Sequence, residues 1–450
     1  MKTVFLFLKN SLFISDLLRT KYIEYLSSHY RVVIFSSIRP EKEHYFSSPN
    51  IEYVDWKIQS PKLFAWFKFL RTNCIREFDQ VSSLQFYYGS PAFKNDKRAR
   101  ILRFLSQPFA KWLTTEFFTK LEMFFLGHSP LFEKYCREYQ PALIITATPG
   151  IQIFDAEPIL FGRKLGIPTL ATNFSWDNLT SFKCVRMRKP DYLFVWNEII
   201  KESAVKLHKF APERITVTGA MRFDRYFDPA FKIPSREEFL RSKNLDPTQK
   251  TILFATAGRK SKFQAEVIRT ILGWRRRGVL PQVNLLIRVH PFDDINHYQE
   301  FIGLDNVCLE AAGKARSYRD DRAVIEIDDQ DFLNLKATLA HADINVNYKS
   351  TISLESALFD KPVINFVDPT LSFQNKHYYD PNSYYYPVVK NGGVRLTSDA
   401  GSFRNAILDY LKNPSLDSEG RRKVATMFFA FTDGLSYRRN VEYIEKLLKK

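Results

Sequence analysis

The chain predicts an α/β protein of two domains, each built on a parallel sheet. Three observations predict this. Short apolar runs of strand length alternate with helical periodicity from the first residues onward. The alternation starts afresh after a polar, proline-punctuated stretch at 228–249. The length of 450 residues also exceeds what one ordinary core organises. The expected boundaries are 1–222, 223–434 and a terminal helix at 435–450 available to cross back onto the first domain.

Residues 3–8 (TVFLFL) read as a buried strand, 16–28 as an amphipathic helix with Leu17, Leu18, Tyr22 and Tyr25 on one side, and 31–35 (RVVIF) as a second strand. Strand, helix and strand at this spacing make a βαβ unit. From 97 to 128 the character changes. Ile101, Leu105, Phe109, Leu113, Phe117, Leu121 and Phe125 recur every fourth residue, Lys97, Arg98, Arg100, Arg103, Lys111 and Lys120 surround them, and Pro108 should kink or divide the helix. Such a stretch either packs on the domain's own core or lies at a membrane surface with Trp112 and the phenylalanines in the headgroup layer. Strands at 142–147, 169–173, 192–196 and 215–218 complete the first half, each but the last followed by a polar cluster. In the second half, strands are expected at 251–256, 284–289, 323–327, 344–347 and 362–367, with helices at 330–341, 352–359, 399–412 and 435–450.

The stretch 341–368 (HADINVNYKSTISLESALFDKPVINFVD) carries most of the chemistry. A strand opens into the polar loop 348–351, a helix follows, and Asp360-Lys361-Pro362 stops it because proline cannot continue a helix. Lys349, Ser350, Thr351 and Ser353 surround the helix start, where unpartnered backbone N–H groups favour an anion such as phosphate. Glu355 has no Ser or Thr three residues before it, so a capping box does not account for it. Its place suits a ribose diol; the alternative is an ordinary solvated first-turn carboxylate. Two other strands end in loops suited to phosphate, one bearing Arg259 and Lys260, the other Arg288 and His290-Pro291. The proline fixes the backbone as the strand ends, so the imidazole is held at the sheet edge.

Composition narrows the class. Four scattered cysteines suggest neither a disulfide framework nor a zinc site, which fits a reducing cytoplasm. The apolar run that begins the chain ends at Lys9, too short for a signal peptide, and no stretch reaches the roughly 20 apolar residues of a membrane span. A net charge of +17 suits anionic lipid, phosphorylated substrates or nucleic acid, but no finger or RNP-like motif accompanies it, so nucleic acid is not the expected partner.

IRVHP together with NYKSTISLESALFDKPVI resembles the His-Pro and Ser/Thr motifs of bacterial sialyltransferases, Kdo transferases and CDP-glycerol-dependent teichoic-acid polymerases. VTGAMRFDRYF is similar to their interdomain junction. These are GT-B enzymes of surface-polymer synthesis, built of two Rossmann-like domains facing a cleft. The resemblance implies a cytoplasmic or peripherally membrane-bound glycosyltransferase with a nucleotide-sugar donor and a glycan or lipid-linked glycan acceptor. It implies an acceptor-side first domain, a donor-binding second domain and no required metal or other cofactor. Glu355 would then hold the ribose, Arg259, Lys260, Arg288, Lys349, Ser350, Thr351 and Ser353 the phosphates, and His290 the leaving group. The Asp/Glu-Asp/Glu-Gly motif of those sialyltransferases is missing, so the base is sought at strand ends in the first half. There Asp155 and Asp177 are the candidates, and His128 and Glu198 weaker ones. Asp155 could equally be a first-turn helix acid, and Asp177 a turn-former. Two other functions stay open: a nucleotide-sugar 2-epimerase on the same fold, and a non-catalytic binder of glycan or nucleic acid.

Overall fold

Seven strands form the first sheet: β1 (Thr3–Leu8), β2 (Arg31–Ser36), β3 (Ile51–Asp55), β4 (Pro141–Thr146), β5 (Thr169–Thr172), β6 (Tyr192–Val195) and β7 (Ile215–Val217). The computed structural model describes residues 1–9, 17–37, 47–258, 263–317, 323–369 and 375–449. All pairings in this sheet are parallel, in the order β3-β2-β1-β4-β5-β6-β7. The second sheet takes β8 (Lys250–Ala255), β9 (Val283–Val289) and β10 (Val307–Ala311). After an antiparallel hairpin, β11 (Lys314–Ser317) and β12 (Ala323–Glu326), it is completed by β13 (Ile344–Asn347), β14 (Val363–Phe366) and β15 (Arg395–Thr397). Its order is β10-β9-β8-β13-β14-β15, again all parallel. Both sheets therefore reverse direction once, between β1 and β4 and between β8 and β13. In open α/β sheets ligands sit outside the strand ends at that reversal.

Central strands are apolar on both faces because helices cover both. Val4 to Leu8 and Ile252 to Phe254 are wholly buried. In the two large sheets the strands that the sequence did not suggest, β3, β10 and β15, all lie at the edges, where partial exposure removes the continuous apolar run; the hairpin strand β11 was not suggested either. A helix begins at Lys21, capped by Thr20, while the expected start at Asp16 lies outside the described residues. A further helix, Ser418–Phe429, was not anticipated.

The two halves are joined twice. One link is the connection through Met221–Phe227. The other is the terminal helix Ser436–Lys449, whose Val441 and Ile444 share the core of β1, β2 and β4. Asp224 fixes its entry: the backbone N–H groups of Ser436 and Tyr437 donate to the carboxylate at 3.1 and 2.8 Å. Burial pushes this carboxyl up to about 6, against those same hydrogen bonds.

Between β3 and β4 the first domain carries a helical insertion. Pro108 divides the expected long helix into Lys97–Leu105, a short turn Gln107–Phe109, and Thr115–Leu126. The insertion's core takes Phe118 and Leu126, with Leu102, Leu113 and Leu121 half-buried against it. Packing on its own core does not absorb the rest of the series. Ile101, Phe104, Leu105, Phe109, Trp112, Phe117, Phe124 and Phe125 all face outward, with Trp112 67 % and Phe124 80 % exposed. No helix among the described residues is long and apolar enough to cross a membrane.

Candidate active site

β8, β9 and β13 are neighbours and parallel, so the loops that leave them open at one edge of the second sheet. Contact between the first two is direct. The His290 backbone N–H donates to Thr256 Oγ1 at 2.9 Å, and a Cβ placed on Gly258 would stand 3.0 Å from His290 Nδ1. Phe292 N–H donates to that same Nδ1 at 3.1 Å, which makes Nε2 the proton-bearing, donating nitrogen of a neutral ring. Arg259 and Lys260, expected on the loop after β8, lie outside the described residues.

The loop after β13 is held from below by a buried amide network. Asn365 Nδ2 donates to Asn347 O and Oδ1, both at 3.1 Å, Asn345 Nδ2 to Ser356 Oγ at 2.6 Å, and Tyr385 Oη to Asn365 Oδ1 at 2.6 Å. Ser353 belongs to this network, and that corrects its expected role. It is fully buried, donates to Asn347 Oδ1 at 3.1 Å and lies 2.9 Å from Tyr385 Oη, so its hydroxyl faces the core rather than a phosphate. Above it, Lys349 takes a left-handed backbone (φ 41°), a conformation costly for a side-chain-bearing residue and held by the surrounding packing. The helix that follows, Ile352–Leu358, has only seven residues. Its macrodipole is correspondingly small, so an anion at this place would depend on the loop groups of Lys349, Ser350 and Thr351.

Glu355 is not a solvated surface acid: it is 7 % exposed. Tyr226, from the interdomain connection, donates its hydroxyl to Glu355 Oε1 at 2.8 Å. Burial, then the neighbouring carboxylate, raises the phenol well above its ordinary value, so it stays protonated and donating. The rings of Phe332, Phe359 and Phe223 fix Tyr226 in place. Arg288 is a second correction. Register puts it directly opposite Glu310 on β10, and its guanidinium bonds that carboxylate at 2.5 Å, both side chains being buried. Burial pushes Glu310 up, but Arg288 and Lys243 together hold it below its ordinary value. The guanidinium is thus committed within the sheet, and the partner was invisible while β10 was unrecognised.

From the first domain, the loop after β5 reaches the second domain. Trp176 Nε1 donates to Thr351 Oγ1 at 3.3 Å, and its ring packs among Tyr384, Tyr385 and Phe428 of the second domain. Asp177 is therefore registered against the loop after β13. Its Oδ1 accepts from Ser175 Oγ at 2.5 Å and its Oδ2 from Lys183 Nζ at 3.1 Å, while part of the side chain remains exposed. Asp155 sits at the β1/β4 reversal but is sealed: it is fully buried, accepts from Thr148 Oγ1, and burial pushes it up to about 7. A first-turn helix acid with no exposed surface does not meet a substrate in this arrangement. His128 is paired with Glu133 at 2.5 Å on the surface, and Glu198 is an exposed first-turn acid. Among the described residues no three His, Cys, Asp or Glu gather as a metal site.

Reasoning from sequence missed Tyr226, Trp176 and the asparagine network. A strand reading INVN inside a sheet buried on both faces was the available signal for the last. The two long-range partners left none.

The sequence family described as CDP-Glycerol:Poly(glycerophosphate) glycerophosphotransferase matches residues 164–446. No curated protein matches the chain. Among solved structures, the UDP co-structure of Staphylococcus aureus MnaA aligns with 100 % of this chain and 97 % of its own, at TM-score 0.57 and 10 % identity. A Neisseria meningitidis UDP-GlcNAc 2-epimerase bound to UDP-GlcNAc aligns over 100 % of both chains at 0.53 and 14 %. The wall teichoic acid polymerase TagF, in a variant soaked with CDPG, aligns with 100 % of this chain and 89 % of its own at 0.50 and 13 %. At such identities these likenesses show the fold, two Rossmann-like domains of the GT-B kind, and nothing finer.

Proposed function

The chain belongs to the CDP-glycerol:poly(glycerophosphate) glycerophosphotransferase family and is a transferase, and on that premise we propose that it moves a sugar, or a sugar-like group such as glycerol phosphate, from a nucleotide-activated donor to a hydroxyl of a surface glycan. The observation that carries this reading is Glu355, a buried carboxylate oriented by Tyr226 at the β8/β13 reversal, one turn beyond the polar loop. A carboxylate so placed accepts from both hydroxyls of a ribose while the phosphates rest on Lys349, Ser350 and Thr351.

The chemistry then divides between the two domains. Asp177 takes the proton of the acceptor hydroxyl, whose oxygen bonds to the transferred group as the bond to the nucleotide phosphate breaks. The electron pair of that bond stays on the phosphate oxygen, where the Nε2–H of His290 and the loop after β13 meet the charge. Asp177 is preferred to Asp155 because it is partly exposed and its neighbour Trp176 touches Thr351. This division of labour needs no metal ion, and activity should persist in EDTA. The outward aromatic face of the insertion, with exposed Lys97, Arg98, Arg100, Lys111 and Lys120 on the same segments, would rest on the cytoplasmic face of an anionic membrane and bring a lipid-linked acceptor within reach.

Incubation with CDP-glycerol as the first donor tested, with and without acceptor, decides the matter. Nucleotide release that depends on acceptor, and that Asp177→Asn abolishes while donor affinity persists, supports the proposal. Conversion of a nucleotide-sugar donor without any acceptor would instead make the protein an epimerase.

A further inference from the structure

A cavity of about 440 Å³ is lined in part by Trp176, the residue whose indole N–H donates to Thr351. Its inner wall is Trp176, Leu179 and Tyr384, its outer wall Thr180, Ser203 and Lys206. It runs along the helix Glu198–Lys206 to Gln80 and Val81, which precede the helix Ser82–Gly89 in the same insertion that carries the outward aromatic face. The groove thus includes Trp176, the chain neighbour of Asp177, and reaches the start of the insertion's helix Ser82–Gly89.

Its charge is at odds with the rest of the molecule. In a chain of net charge +17, the charged residues along the groove are Glu202 and Lys206, and these bind each other at 2.9 Å. What remains is aromatic and aliphatic surface with hydroxyl and amide groups at the rim, which matches the apolar C–H faces and outward hydroxyls of a sugar. A phosphodiester chain needs unpaired cations to replace its water, and this groove offers none among its described lining residues.

We propose that this groove binds the acceptor, and that the acceptor units seated there are neutral saccharides rather than a poly(glycerophosphate) chain. The terminal hydroxyl lies at Asp177, and the preceding sugars lie over Trp176 and Tyr384 and along the helix Glu198–Lys206. This inference rests on the transferase reading for its direction, yet the groove can be tested without turnover.

The probe is an array of neutral and phosphate-bearing bacterial oligosaccharides together with synthetic tetra(glycerol phosphate). Calorimetry on the best binders and on CDP follows. Ser203→Trp and Thr180→Trp fill the groove from two sides, and the variant whose melting temperature matches the natural chain is the one used. Neutral oligosaccharides should bind, the filled groove should weaken them at least tenfold, and CDP affinity should stay within twofold. Preference for the glycerol phosphate oligomer, equal binding by the filled variant, or no binding by any array member would each overturn the proposal. Loss of CDP binding by the natural chain would count against the donor site alone.

Discussion

Replacing Glu355 with glutamine separates a binding carboxylate from a merely structural one. The amide keeps the shape of the side chain, and its oxygen still accepts from Tyr226, whose hydroxyl now lies 2.8 Å from Glu355 Oε1. What disappears is the negative charge offered to two ribose hydroxyls. Hydrogen bonds to a charged group are worth about 1.5–3 kcal/mol and neutral ones about 0.5–1.5, so two weakened bonds cost about 2 kcal/mol, roughly a 30-fold rise in Kd. The fold should not suffer, because a buried charge is exchanged for a neutral isostere that keeps its partner. Alanine is the poorer choice. It would leave the Tyr226 hydroxyl without its acceptor among Phe332 and Phe359, at about 1–3 kcal/mol in stability. Calorimetry with CDP and a thermal melt of the same samples make the measurement. An unchanged Kd with a lowered melting temperature would refute the assignment, since Glu355 would then serve only the fold.

Three further outcomes follow from the same geometry. Trp176→Phe keeps the ring among Tyr384, Tyr385 and Phe428 but removes the donation to Thr351, so kcat should fall about 2–10-fold with donor affinity unchanged; a purely structural Trp176 would lower the melting temperature and leave kcat alone. Asp155 binds its proton up to about 7 when folded but only to about 3.8 when unfolded, so the folded state loses stability as pH rises between those values, by at most about 4 kcal/mol. Asp155→Asn should therefore gain on the natural chain in denaturant titrations at pH 8 relative to pH 4, and an equal difference at both would contradict the burial argument. Trp112→Ser with Phe124→Ser should weaken sedimentation with phosphatidylglycerol vesicles at least tenfold without changing the melting temperature; equal sedimentation would remove the membrane from the account.

Much of this arrangement was legible in the chain because central parallel strands write themselves as unbroken apolar runs. Residues 3–8, 251–256 and 284–289 could be read directly, and the loops that follow them carried Gly258 and His290 to one sheet edge. Edge strands left weaker traces, and one omission propagated. With β10 unrecognised, Arg288 looked free to meet a phosphate, whereas Glu310 stands directly opposite it. Ser353 misled for a different reason. Proximity to a helix start does not fix the direction of a side chain, and the buried amides of Asn347 and Asn365 claim that hydroxyl. Tyr226 and Trp176 act across 129 and 175 residues of sequence, a distance over which local patterns carry no information.

A structure of the protein with CDP bound tests the central claim most directly. The ribose hydroxyls should lie within hydrogen-bond distance of Glu355, and the phosphates against Ser350, Thr351 and His290. Nucleotide bound elsewhere, with no ribose hydroxyl within hydrogen-bond distance of Glu355, would contradict it.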